Sequence, residues 1–235
     1  MVKDLKKYIF MIKLGYRYIY IFKKIFFHPY ISLKHAYEEL SKARQDYSNK
    51  VLQYLNIEVE VDGELPKEDK ILYAINHRSL LDIIVMEHIF SNYNKNGTWI
   101  AKQELFDSFY GKFFEYSGCI SVDLETKRGL VSFFKTIKKT FKKVDNMNLY
   151  IFPEGERHQE KGIKEFQSGA EKIAKANNLK VVPVFIDDEL EKVFRESPFK
   201  EKYTVKVHIG ELVDHQNLEE KYISHYKNAL EKGKQ

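Results

Sequence analysis

Ile71-Leu72-Tyr73-Ala74-Ile75-Asn76-His77-Arg78-Ser79-Leu80-Leu81-Asp82 carries a strand, a loop and a helix start in one short stretch. The apolar run Ile71 to Ile75 reads as a strand, and a helical pattern covers 79–91. Ser79 is a natural N-cap for that helix. Outward from here the same alternation continues. Strand-like runs are Trp99 to Lys102, Leu149 to Phe152, Val181 to Ile186 and Tyr203 to Ile209, with helical segments at 128–144 and 166–177. Asp62-Gly63-Glu64-Leu65-Pro66 marks a turn ahead of the first core strand. Strands alternating with helices predict an α/β fold, a largely parallel mixed sheet flanked by helices. On this reading His77, Lys102 and Arg157 each follow or close a strand. They therefore gather at carboxyl ends, where open α/β sheets bind ligands.

The spacing of His77 and Asp82 has a physical meaning. Five residues on a regular helix turn through about 500°, so the two side chains cannot share a helix face. They meet if His77 lies in the loop and Asp82 in the first helical turn. A histidine held by a carboxylate can take a proton from an alcohol. The alternative is that Ser79-Leu80-Leu81-Asp82 is a capping box with Asp in the usual Glu place. A second string, Phe152-Pro153-Glu154-Gly155-Glu156-Arg157, ends a strand in a tight turn. Arginine at such a turn can hold a phosphate. The alternative there is a plain glycine turn with Glu154 and Arg157 solvated. Lys102 by itself is a charge after an apolar strand. His28, His35, His88, His158, His208, His215 and His225 read as surface or packing residues, and no zinc-like spacing appears, so no metal is expected. Cys119, the single cysteine, excludes an intrachain disulfide and reads as a buried, inert thiol.

Taken together, the two strings resemble the glycerolipid acyltransferase family, of the 1-acyl-sn-glycerol-3-phosphate type. The family's His-x-x-x-x-Asp corresponds to His77 and Asp82, and its Phe-Pro-Glu-Gly-Thr-Arg to Phe152 through Arg157. Ala101-Lys102-Gln103-Glu104-Leu105-Phe106 with Gly118-Cys119-Ile120-Ser121-Val122-Asp123 is similar to a further block, and Val182-Pro183-Val184 to the last. The resemblance runs from Ile71 to Ile186. It implies transfer of a fatty acyl group from an acyl thioester to the free hydroxyl of a lysophospholipid, 1-acylglycerol-3-phosphate giving phosphatidate. In that role His77 is the general base and Asp82 its orienting partner. Lys102 and Arg157 hold the acceptor's phosphate, while Glu154 and Gly155 shape its pocket. No cofactor is implied; the donor is an acyl carrier protein (acyl-ACP) or coenzyme A (acyl-CoA) thioester. Two positions depart from the pattern. Glu156 replaces the usual Thr and Leu124 a frequent Arg, for which Arg128 is the candidate substitute if a helix begins there. Glu156, with its added negative charge, motivates the alternatives of a lyso-aminolipid acceptor or, from another class, a non-catalytic membrane-binding protein of the same fold. Lys161 and Lys164 are the candidate cations to neutralise it.

Composition agrees with a lipid-facing role. A net charge of +5 favours anionic partners, and without a nucleic-acid motif these are an anionic membrane surface or an acidic carrier. Residues 1–27 are rich in Ile, Phe and Tyr but broken by lysine and arginine, too often for a span or a secretory signal. Wound as a helix, they place Lys6, Lys13, Arg17 and Lys24 in one arc, away from Leu5, Ile9, Ile12, Tyr16, Ile19 and Phe26. That is the pattern of an amphipathic helix lying in a membrane interface. Tyr8, Tyr16, Tyr18 and Tyr20 are expected at the headgroup level. His28-Pro29 ends it. Residues 34–56 read as a second helix packed through Ala36, Leu40, Ala43, Tyr47, Val51 and Leu55. The expected division is 1–56, an N-terminal helical membrane-interface segment, and 57–235, the catalytic domain, bound peripherally at the cytoplasmic face of the cell membrane.

Overall fold

The computed structural model describes residues 2–123, 126–158 and 162–232. Among them are helices α1 (Val2–Phe26), α2 (Leu33–Leu55), α3 (Leu81–Asn92), α4 (Gln103–Asp107), α5 (Gly111–Tyr116), α6 (Lys127–Lys143), α7 (Gly169–Asn177), α8 (Leu190–Glu196) and α9 (Leu218–Lys232). The strands are β1 (Ile57–Asp62), β2 (Ile71–Ile75), β3 (Gly97–Lys102), β4 (Ile120–Val122), β5 (Asn148–Ile151), β6 (Lys180–Ile186) and β7 (Tyr203–Ile209). They form one sheet in the order β1-β7-β6-β2-β5-β3-β4. Every pairing is parallel except β6 with β7. The expected α/β architecture, largely parallel and mixed, is the one found.

Residue pattern explains this order. β2, at the centre, is buried along its whole length and pairs with β5 and β6; a strand covered on both faces needs an unbroken apolar run. β1, at the edge, alternates Ile57, Val59, Val61 with Glu58, Glu60, Asp62, inward and outward. Along β2 the side chains alternate between two cores. Ile71, Tyr73 and Ile75 join a cluster capped by α1, α2, α3 and α8. Leu72 and Ala74 join the other, under α6, α7 and α9. The helices thus form two layers on opposite faces of the sheet. Pro183 lies inside β6 but the ladder to β7 begins only at Val184, so its missing N–H breaks no bond there.

The two N-terminal helices belong to the first of these cores. α2 ends at Leu55 with Asn56 in the left-handed conformation (φ 56°). Its buried stripe includes Leu40, Val51 and Leu55 as expected, and also Ser41, Arg44, Gln45 and Ser48. Gln45 donates to the Lys95 carbonyl at 2.8 Å, and Arg44 donates to Ser41 Oγ at 3.0 Å. Its guanidinium donates to Glu87 of α3 at 2.6 Å and to the Ser117 carbonyl at 2.6 Å. Glu87 in turn accepts from the Trp99 indole at 2.9 Å. Both bonds to Glu87 fall on its Oε1, and Oε2 has no hydrogen-bond partner among the described residues, so the Arg44 charge is what makes burial of this carboxylate tolerable.

α1 has two apolar faces. Leu14, Tyr18 and Phe22 are buried against the domain, whereas Leu5, Ile9, Ile12 and Tyr16 are exposed. Tyr18 is therefore not an interfacial residue: its hydroxyl bonds to Asp46 and accepts from Lys50 Nζ at 2.8 Å. Lys7 is only 1% exposed. Its ammonium donates to the carbonyls of Phe194 (2.7 Å), Arg195 (3.2 Å) and Ser197 (3.0 Å), at the carboxyl end of α8. The last carbonyls of a helix lack intrahelical donors and carry its negative dipole end, which is why a desolvated ammonium is stable there.

Candidate active site

Strands β2, β5 and β3 are adjacent and parallel, so the loops leaving their carboxyl ends meet. The loop after β2 is built first by Asn76. Its side chain accepts from Ile186 N at 2.8 Å and donates to Ile186 O at 3.0 Å, continuing the β2–β6 ladder one residue past the strand. His77 then leaves the sheet. Its Nδ1 lies 2.8 Å from Asp82 Oδ2. The same oxygen accepts from Arg78 N at 2.6 Å and Ser79 N at 2.9 Å.

Both readings of Asp82 thus hold together: one carboxylate satisfies the free amides ahead of α3 and orients the imidazole. The helix itself starts at Leu81, not Ser79. Ser79 Oγ accepts from Leu81 N at 3.3 Å and donates to Glu191 of α8 at 3.1 Å. With Nδ1 facing a carboxylate, the ring proton resides there and Nε2 keeps its lone pair. The ring is fixed further by stacking on Phe152 (centroids 3.8 Å, 9° between planes), which stacks on Trp99 (5.0 Å).

The turn after β5 closes on this loop. Glu154 is 2% exposed and both its oxygens are occupied. Oε1 accepts from His77 N at 2.9 Å and Oε2 from Lys164 N at 3.2 Å. His158 N donates to His77 O at 2.8 Å. The Glu154 carboxylate therefore holds the His77 peptide in place instead of facing solvent. Gly155 has φ +74°, a conformation L side chains rarely adopt. A Cβ there would come 3.0 Å from Gln167 Cγ and 3.8 Å from Lys102 Cε, so Lys102 reaches over this turn. Gln167 N donates to Pro153 O at 2.8 Å. The expected helix over 166–177 consequently starts only at Gly169, because the residues before it run back to the turn.

Lys102 and Arg157 are exposed at the end of β3 and at the end of the turn. Glu156 is exposed and pairs with Lys164. That ammonium, together with Lys102, holds its carboxyl below the usual range. Lys161 and Leu124 lie outside the described residues. α6 begins at Lys127, with Thr126 as its N-cap, which puts the exposed Arg128 in its first turn. Cys119 is half-buried and burial pushes its thiol up, which disfavours the thiolate a nucleophile needs. Among the described residues no three His, Cys, Asp or Glu side chains converge as metal ligands would.

Sequence reading gave no role to Asn76, Arg78 or Glu191. Arg78 is buried, with its guanidinium 6.0 Å over the Phe185 ring and a 3.3 Å bond to Gly162 O. An Asn directly after a buried strand was a usable signal; the distant partners of Arg78 and Ser79 were not.

A family model for acyltransferases matches residues 56–187. The chain belongs to the acyltransferase family. A 1-acyl-sn-glycerol-3-phosphate acyltransferase of Helicobacter pylori is 40% identical over 133 residues, covering 55% of this chain and 53% of that one. A probable 1-acyl-sn-glycerol-3-phosphate acyltransferase of Mycoplasma genitalium is 27% identical over 165 residues, 66% and 61% of the two chains. The match therefore spans between half and two thirds of the length of these relatives. In fold, the crystal structure of the 1-acyl-sn-glycerophosphate (LPA) acyltransferase PlsC from Thermotoga maritima is similar with a TM-score of 0.61. It covers 97% of this chain and 95% of that chain at 21% identity.

Glu154 gives this acyltransferase site a pH signature. Burial raises its carboxyl above the ordinary glutamate value, against the lowering effect of the His77 and Lys164 amides. The folded chain then binds this proton more tightly than the unfolded one. The resulting stabilisation is complete below the ordinary glutamate pKa and is lost as pH rises through the raised one. The difference in unfolding free energy between the native chain and Glu154→Gln is expected to fall as pH climbs from about 4 to about 7. Urea denaturation at stepped pH measures it, and a difference that grows with pH refutes the desolvated carboxyl.

Proposed function

We propose that the chain transfers a fatty acyl group from an acyl thioester to the free hydroxyl of 1-acylglycerol-3-phosphate, yielding phosphatidate. The observation that carries this reading is the 2.8 Å contact of His77 Nδ1 with a buried Asp82, which leaves Nε2 as the basic atom of a site at the sheet's carboxyl edge. Nε2 removes the hydroxyl proton as the acceptor oxygen attacks the thioester carbonyl. Asp82 stabilises the imidazolium that forms. The tetrahedral intermediate collapses, the C–S bond breaks, and the thiolate recovers the proton from His77. A thioester is already activated, so no Ser or Cys nucleophile is needed. General base catalysis accounts for roughly 10²- to 10⁴-fold of the rate, and positioning of both substrates for the rest.

Lys102 and Arg157 hold the acceptor's phosphate in this reading. The Glu156–Lys164 pair supports a phosphate-bearing acceptor, because the carboxylate's charge is already balanced by a neighbour. The donor is an acyl carrier protein or coenzyme A thioester. The enzyme sits peripherally at the cytoplasmic face of the cell membrane, through α1. No helix among the described residues is long and apolar enough to cross a membrane. The exposed row Leu5, Ile9, Ile12 and Tyr16, flanked by the exposed Lys13 and Arg17, supports interfacial contact.

Thioester-dependent transfer to a panel of lysolipids tests the function. Transfer to none of them, with a folded protein, defeats it. His77→Ala is expected to lower kcat by at least about 10²-fold, and Asp82→Asn by less, because the base survives without its orienting partner. Activity of the alanine variant within a few-fold of the parent would remove His77 from the mechanism.

Lys102→Ala and Arg157→Ala are expected to raise KM for the acceptor, each by about tenfold or more, the worth of a charge-assisted phosphate contact. The donor KM should stay constant. The reverse pattern reassigns both cations to the donor.

For membrane binding, deleting residues 1–27 is a poor test, since Lys7, Tyr18 and Phe22 are part of the core. Ile9→Gln with Ile12→Gln alters only exposed positions. This double variant is expected to lose most sedimentation with anionic vesicles while keeping its melting temperature. Unchanged sedimentation places the contact elsewhere.

A further inference from the structure

Helix α6 carries Lys127, Arg128, Lys135, Lys138, Lys139, Lys142 and Lys143, and no Asp or Glu. Wound at about 100° per residue, all seven fall within an arc of about 160°. All seven are exposed, and none pairs with a carboxylate among the described residues. The opposite face of the helix, through Phe133, Ile137 and Thr140, is buried in the second core. The chain as a whole has a net charge of +5 and α6 alone +7, so the remaining residues sum to −2. Helix α6 alone thus carries more positive charge than the whole chain, and unlike α1 it does so with no acidic residue in the helix. Folding does not require seven like charges on one face, which repel one another.

We propose that this outward face of α6 is the docking surface for an acidic acyl carrier protein that brings the acyl thioester to the site. The inference rests on the thioester-dependent reading above and extends it to the donor's identity. Position favours it. α6 starts just after β4, and β4 runs parallel to β3, so the first turn of α6 lies at the same sheet edge as His77, Lys102 and Gly155. From that edge the helix leads away for about 25 Å, enough for a small protein to lie along it.

A bilayer is the less suitable occupant, for two reasons. The exposed apolar face of α1 lies in the other helix layer, across the sheet. In addition, the basic arc of α6 contains a single exposed large apolar side chain, Val131, whereas an interfacial helix needs an apolar face to bury. A soluble acidic partner needs only complementary charge, which steers encounter and fixes register.

The test compares the full-length enzyme with a variant carrying Lys135→Glu, Lys138→Glu, Lys139→Glu and Lys142→Glu, and with the corresponding Lys→Gln variant in case four reversals disturb folding. Steady-state transfer is measured with an acylated carrier protein and with acyl-coenzyme A, and carrier binding is measured directly on immobilised enzyme. Both variants are expected to raise KM for the acyl carrier by roughly 10- to 100-fold, within the span of electrostatic steering. KM for acyl-coenzyme A and for the acceptor should change less than about twofold, and carrier binding should weaken as salt rises in the parent alone. An equal rise with both donors overturns the proposal, because α6 would then act on any anionic thioester. So does an unchanged carrier KM with lost sedimentation on anionic vesicles, which assigns the helix to the membrane. Use of acyl-coenzyme A but no carrier thioester overturns the proposal and leaves the proposed function standing. No transfer from either donor removes both.

Discussion

One oxygen, Asp82 Oδ2, is what the site is built around. A carboxylate buried at the start of α3 is stable only if donors surround it, and three do: the His77 ring and the amides of Arg78 and Ser79. Those donors come from successive residues, so satisfying the charge folds the chain after β2 into one shape. The amino end of α3 adds its own positive dipole. A second buried carboxylate, Glu154, grips the same loop from the β5 side. His77 is thus held by its ring on one acid and by its backbone on another, and stacking on Phe152 removes the remaining rotation.

What could be read locally and what could not follows from how far apart the partners lie. His77 and Asp82 are five residues apart, and their relation is a matter of chain geometry that a sequence displays. Strands β2 and β7 were legible for the same reason, as unbroken or bounded apolar runs. β1 escaped because its acids at every second position mask a half-buried edge strand. The short helices α4, α5 and α8 and the three-residue β4 offer too few residues for a period to emerge. Helix α9 is long enough for a period, but its apolar positions are interrupted by charged and polar residues along its length. Lys7, Tyr18 and Arg44 mislead a local reading most. Each belongs to a residue type common on surfaces or interfaces, and each is buried against a partner far along the chain. Glu154 belongs with them, since the amide it accepts from lies 77 residues earlier.

The two layers also divide the physical work. Around the first core, packing is aromatic and continuous, from Tyr18 and Phe22 through Phe113 to Tyr47. The buried pair of Arg44 with Glu87 links α2 to α3 and, through Trp99 and Phe152, to the imidazole. The second core is smaller, with Phe133 and Tyr222 among its aliphatic residues, and the helix outside it carries seven basic residues and no acid. The exposed apolar row of α1 and the basic face of α6 therefore lie on different sides of the sheet.

Helix α8 is only seven residues long, yet both of its ends are engaged. Its last carbonyls receive the ammonium of Lys7, and near its start Glu191 accepts from Ser79, two residues beyond His77. Helix α1 and the His77 loop are thus fastened to the same short strut. A helix seated this way is no tether from which a globule swings; it cannot lift away without baring its own ammonium and three carbonyls. Whatever surface the exposed side of α1 meets is therefore held at a fixed tilt and height relative to His77.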